Sequence, residues 1–170
     1  MGLVSLIMLI STMLHSNNDQ NTLITNTCMN TPNYPLCVST LQSDTRSFDT
    51  DANVETLALV MVAAIRSRAR EIKVMIPELK AAKPEWGGPL SQCYFYYDTV
   101  LRADVPEAEM GIKRGVPKFA VAGMADAVVE AENCDAAFKG LGITDSPLKD
   151  VNKNVMDLSA VANSIIKKLL

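Results

Sequence analysis

Residues 147–170 read PLKDVNKNVMDLSAVANSIIKKLL, with apolar side chains at Val151, Val155, Leu158, Ala162, Ile165 and Leu169. The steps between them are four, three, four, three and four residues. On an α-helix that spacing draws one narrow apolar stripe, and a heptad-like stripe is the seam of a helix packed in a bundle. The signal recurs upstream. Residues 53–76 contain no Gly or Pro, and Leu57, Val60, Met61, Ala64, Ile65, Ala69, Ile72 and Ile76 fall in steps of three and four. Pro77 does not stop this pattern, since Leu79 continues it, but residues 84–89 (PEWGGP) read as a loop.

A second helix is expected from about residue 90, carried by Leu90, Cys93, Tyr94, Tyr97, Val100 and Leu101. Pro106 kinks or restarts it, with Asp104 available as an N-cap, and it resumes through Met110 and Ile112 to Gly115. A third begins at Pro117, a favoured first-turn residue, with Phe119, Ala120, Met124, Ala127, Val128, Ala131, Cys134 and Phe138 as its buried stripe. Gly140 and Gly142 end it. Tyr94-Phe95-Tyr96-Tyr97 is β-prone but lies inside a helical stripe. The expected fold is all-α: an up-down-up-down four-helix bundle. Two short helical patterns, residues 23–28 and 34–41, precede it and suggest an N-terminal helical hairpin.

The 170 residues are 48% hydrophobic and 21% charged with net charge −3, which excludes a disordered chain and argues against a nucleic-acid partner. Residues 3–14 form an uncharged, mostly apolar run, shorter than the roughly 20 residues a bilayer span needs. With the polar break after it, the run is expected to be a signal peptide at residues 1–16, leaving one domain at 17–170 and no membrane contact after cleavage. The only histidine, His15, falls in that leader. The remaining chain then lacks a Ser-His-Asp triad, a Cys-His dyad and any His-based zinc site. No glycine-rich phosphate loop or metal-ligand cluster is present either, so the chain is read as a non-enzyme without a cofactor. Any pH response must come from carboxylates, with Asp104, Glu107 and Glu109 as candidates.

Cys28, Cys37, Cys93 and Cys134 imply two disulfides, for which three connectivities exist. If the second and third helices form an antiparallel hairpin turning near Gly115, Cys93 and Cys134 lie at nearly equal distances along its arms. That favours Cys93–Cys134 and leaves Cys28–Cys37 for a short loop; the other two connectivities stay open on spacing alone. Arg66, Arg68, Arg70 and Lys73 form a basic cluster, readable as a pectin-like anion site or a solvated face. Tyr94, Tyr96 and Tyr97 could stack on sugar rings or belong to the core and its edge. A lipid-carrier bundle is a further reading, and it requires a large apolar cavity.

Residues 28–37 (CMNTPNYPLC) resemble the N-terminal signature of the plant invertase and pectin methylesterase inhibitors. Residues 115–119 (GVPKF) resemble the Pro-Lys-Phe motif of the invertase-inhibitor branch. The resemblance covers residues 23–170, departing from the commoner acidic pattern at Val116, Val121 and Ala122. It implies a four-helix bundle with an N-terminal hairpin and two disulfides between consecutive cysteines. It also implies an inhibitor of acid invertase in the cell wall (apoplast) or vacuole, with pectin methylesterase as the alternative target. Pro117, Lys118 and Phe119 would then bind the target. Retaining glycosidases carry two carboxyl groups about 5–5.5 Å apart in a cleft. An ammonium group from Lys118, held by rigid Pro117 and flanked by Phe119 as an aromatic anchor, suits such a cleft.

Overall fold

The computed structural model describes residues 18–170; the expected signal peptide, residues 1–16, lies outside the described residues. The first helix, α1, covers residues 18–28, and the second, α2, covers Tyr34–Gln42. Asn33 caps α2 through its side-chain oxygen, which accepts from the Leu36 N–H at 3.2 Å, and Pro35 sits in the first turn where no N–H is needed. The Cys28–Cys37 disulfide closes this hairpin with a Cα–Cα distance of 5.6 Å. The hairpin docks on its own bundle: Ile24, Cys28, Cys37 and Leu41 are fully buried, and Lys168 Nζ donates to the Thr27 carbonyl at 2.7 Å.

Four long helical arms follow. Helix α3, Val54–Ala82, opens on a capping box in which Asn53 and Thr56 each accept from the other's backbone N–H. As the sequence suggests, it runs through Pro77. Helix α4, Gly87–Thr99, starts earlier than expected: Gly87, Gly88 and Pro89 form its first turn rather than a loop. A proline there removes only an N–H that a helix start leaves unpaired anyway. Helix α5, Val105–Lys113, continues from α4 through a π turn at Val100–Asp104. Helix α6 spans Pro117–Lys139, and α7 spans Lys149–Ile166 before tightening into a 3-10 turn at Lys167–Leu169. The α4–α5 arm packs between α3 and α6, and α7 closes the ring between α6 and α3. The described residues contain no strand.

The α4–α5 junction corrects the expected restart at Pro106. Asp104 has helical backbone angles, makes no capping bond, and is 4% exposed. The chain instead widens by one residue, so that the Val105 N–H reaches the Val100 carbonyl. A π turn of this kind lets a helix pass the missing N–H of Pro106 without breaking. The core stripes also need correction at their edges. Tyr97, Met124 and Phe138 are buried as expected, but Tyr94 is 44% and Phe119 is 50% exposed. Each lies beside the true stripe rather than on it.

The bundle interior is filled by large side chains, among them Tyr97, Phe138, Met61, Ile72 and Leu148, which counts against a lipid-carrier cavity. The buried Tyr97 hydroxyl donates to Asn152 Oδ1 at 2.7 Å, while the Asn152 amide donates to Asp135 and contacts Cys134 Sγ. Burial, followed by the Asp135 charge, pushes the Tyr97 hydroxyl well above the usual phenol range. Cys93 and Cys134 are bridged at a Cα–Cα distance of 4.6 Å, joining α4 to α6.

The π turn and α5 approach α6 so closely that two glycines are obligatory. A Cβ on Gly123 would stand 2.5 Å from the Asp104 carbonyl oxygen, and one on Gly111 would stand 2.7 Å from the Ala120 nitrogen. In an isolated helix a Gly-to-Ala change gains about 1 kcal/mol. Here Gly123→Ala is expected to lower stability by about 2 kcal/mol, because backbone rather than a flexible side chain must move. Urea denaturation checks the sign; a stabilised variant would contradict the close approach.

Candidate inhibitory surface

The α5–α6 hairpin presents residues 115–119 at its tip, and local chain chemistry explains why. Gly115 has φ of +66°, a left-handed conformation that suits glycine. Around it the Val116 N–H reaches the Gly111 carbonyl at 2.8 Å and the Gly115 N–H reaches the Ile112 carbonyl at 3.0 Å. This pair of bonds is a Schellman cap, which stops α5 and turns the chain. Pro117 then occupies the first position of α6 with its φ already set for a helix. Val116 at the N-cap contributes no side-chain bond, and the first turn of α6 closes on its own backbone, the Phe119 N–H donating to the Val116 carbonyl at 3.1 Å.

Lys118 and Phe119 follow on that first turn. Lys118 is exposed, and its Nζ lies 5.4 Å from the Phe119 ring centroid, within cation–π range. Lys113, Arg114 and Lys118 are all exposed at this tip, and among the described residues none has an ion-pair partner. A lysine at a helix N-terminus is disfavoured by the helix dipole, and an incoming anion relieves both. The three motif residues are therefore brought together, with Pro117 half-buried as a support and the other two offered to solvent.

The other candidates separate. The basic cluster on α3 is largely neutralised: Arg66 pairs with Glu109 at 2.7 Å, Arg68 with Glu71, and Lys73 with Asp98. That leaves a laced helix face rather than an anion site. Tyr97 is committed to Asn152, and Lys73 covers the Tyr94 ring at 4.2 Å, so the tyrosines make no common sugar platform. Among the described residues no three His, Cys, Asp or Glu side chains converge as a metal site.

The carboxylates also differ in role. Glu109 is tied to Arg66, whereas Asp104 sits under α6 with its Oδ2 lacking a hydrogen-bond partner. Burial first, then the charges of Glu130, Asp126 and Glu107, push the Asp104 carboxyl up to about 7. Glu130 is likewise raised by burial, and its Oε2 has no hydrogen-bond partner.

One part of the surface was missed in the sequence. Beside the motif, α5 and the start of α6 enclose a groove of about 540 Å³, lined by Arg102, Ala103, Pro106, Glu107, Met110, Gly111, Arg114, Val116 and Phe119. The signal was available: Ala103, Pro106 and Met110 repeat in steps of three and four, off the core stripe of Val105, Ala108 and Ile112. They make a second apolar face. A different groove, about 370 Å³, lies between α2, α3 and α7 and contains no motif residue.

This four-helix bundle with a disulfide-closed N-terminal hairpin belongs to the plant invertase/pectin methylesterase inhibitor family, whose sequence pattern matches residues 22–165. It is 38% identical over 155 residues to the cell wall / vacuolar inhibitor of fructosidase 1 of Arabidopsis thaliana, covering 88% of this chain and 73% of that protein. Its fold is similar to that of a pectin methylesterase inhibitor from Arabidopsis in a mutant form, with TM-score 0.68, 19% identity, and coverage of 82% and 92%. A second pectin methylesterase inhibitor structure, from Arabidopsis thaliana, gives TM-score 0.63 and 19% identity, with coverage of 86% and 95%. At that identity the structures speak to fold alone.

Proposed function

We propose that the chain is a secreted inhibitor of acid invertase (β-fructofuranosidase) and that Pro117, Lys118 and Phe119 block the sucrose-binding cleft. The observation that carries this is Lys118: exposed on a rigid hairpin tip, without an ion-pair partner among the described residues, and beside a half-exposed phenylalanine. A fructosidase inhibitor as a relative at 38% identity supports the choice of target. The ammonium group enters the cleft between the two catalytic carboxyl groups, where its charge is opposed at short range and water is displaced. Phe119 covers the edge. Residues 1–16 act as the signal peptide, and the mature domain, 17–170, works in the cell wall or the vacuole.

Inhibition is measured in parallel against a cell-wall invertase, a vacuolar invertase and a pectin methylesterase. The wild-type chain is expected to inhibit an invertase and spare the esterase. Lys118→Ala is expected to raise the inhibition constant about 30-fold or more, the usual cost of losing one member of a desolvated charge pair. Unchanged inhibition by that variant overturns the role of Lys118. Inhibition of the esterase alone replaces the proposed target with the alternative.

A further inference from the structure

We infer that the α5–α6 groove is the second half of the inhibitory surface, taking an apolar side chain carried on an acidic rim of the target enzyme's cleft. The inference rests on the invertase reading of Lys118 and extends it. Interfaces of ordinary size take about 800 Å² from each partner, far more than three motif residues supply. The contact must therefore spread, and the groove is continuous with the motif because Val116 and Phe119 belong to its lining.

Its chemistry defines the occupant. Met110 is 46% and Phe119 is 50% exposed, and they stand with Pro106 and Ala103 in one concavity of about 540 Å³. Exposed apolar side chains grouped this way on a surface helix gain by being covered. Methionine adapts its shape to what it meets, and phenylalanine gives a rigid wall. Two guanidinium groups, Arg102 and Arg114, line the groove against one carboxylate, Glu107. Arg102 pairs with Asp98 at 3.1 Å yet leaves 79% of its side chain exposed, while Arg114 has no ion-pair partner among the described residues. Lys113 and Lys118, exposed at the adjoining hairpin tip, add positive charge beside it on a chain of net charge −3. An apolar residue flanked by carboxylates is the complement.

Ala103→Trp fills the groove, Met110→Glu places a carboxylate in it, and Arg114→Glu reverses one rim charge; all three positions are exposed, and thermal melting checks that each variant folds. With Lys118 intact, the first two are expected to weaken invertase inhibition about tenfold or more, as for a contact inside an interface. Arg114→Glu is expected to slow association and flatten its salt dependence. If the groove variants inhibit as wild type while Lys118→Ala does not, the groove inference is overturned and the lysine reading stands. If the groove variants fail while Lys118→Ala inhibits normally, the groove stands and the lysine reading falls. Wild-type inhibition by all of them overturns both.

Discussion

A variant in which Cys93 and Cys134 are both replaced by Ala is expected to unfold about 4 kcal/mol more easily than the parent under oxidising conditions. The bridge closes a loop of 41 residues, which includes the whole α4–α5 arm beyond Cys93 and the first three-quarters of α6. Without it the unfolded chain regains the freedom that the cross-link removes. The Cys28–Cys37 loop, with a separation of 9, is expected to cost less, about 2.6 kcal/mol on the same chain-entropy argument. Both bridges are fully buried, so loop length and not exposure separates them. Urea denaturation of the two double variants checks the order. If removing the short-loop bridge costs as much as removing the long one, that bridge does more than close its own loop, and loop length alone does not set the order.

The second large effect is a pH dependence centred on Asp104. In an unfolded chain this carboxyl titrates near 3.8, and in the folded protein it is pushed up to about 7. The folded state therefore binds this proton more tightly than the unfolded state. Stability is fully present below about pH 4, is lost as pH rises toward 7, and is level beyond. So wide a separation between the folded and unfolded titrations corresponds to a change of up to about 4 kcal/mol across that window. Glu130, also raised, acts in the same direction. Asp44, held low by Arg46, and Asp98, held low by Lys73, act oppositely, but only as pH falls below the usual carboxylate range. The chain is thus expected to be more stable at pH 5 than at pH 8. Asp104→Asn removes the ionisation while keeping the side chain's shape. It is expected to be the more stable protein at pH 8 and nearly flat between pH 5 and 8. Denaturation midpoints at several pH values decide it; a parent that gains stability from pH 5 to 8 excludes the buried-carboxyl account.

Much of this was legible in the chain. The heptad-like stripe of α7 reappears almost unchanged, since Val155, Leu158, Ala162 and Ile165 are buried and Val151 and Leu169 sit at the margin. Nearly equal arms around Gly115 pointed to the Cys93–Cys134 pairing, because two antiparallel helices of the same rise bring equal distances level. Misplacements occurred where periodicity is blind. Phe119 and Met110 are apolar and helical, yet they face out, since a hydrophobic residue next to a stripe reads like a member of it. Asp104 resembled an N-cap before a proline, because a π turn leaves no signature in spacing.

Sequence alone determined the four amphipathic arms, the hairpin around Pro32, the two disulfides that the resemblance implied, and the Pro117-Lys118-Phe119 motif. These are properties of neighbours along the chain: stripe, cap, turn and loop length. The tertiary structure decided what each exposed group is free to do. It paired Arg66 with Glu109 and Lys73 with Asp98, and left Lys113, Arg114 and Lys118 without ion-pair partners among the described residues. It also buried Asp104 against α6 and opened a groove beside Phe119. Pairing, desolvation and concavity depend on distances between separate helices, which no single stretch of sequence contains.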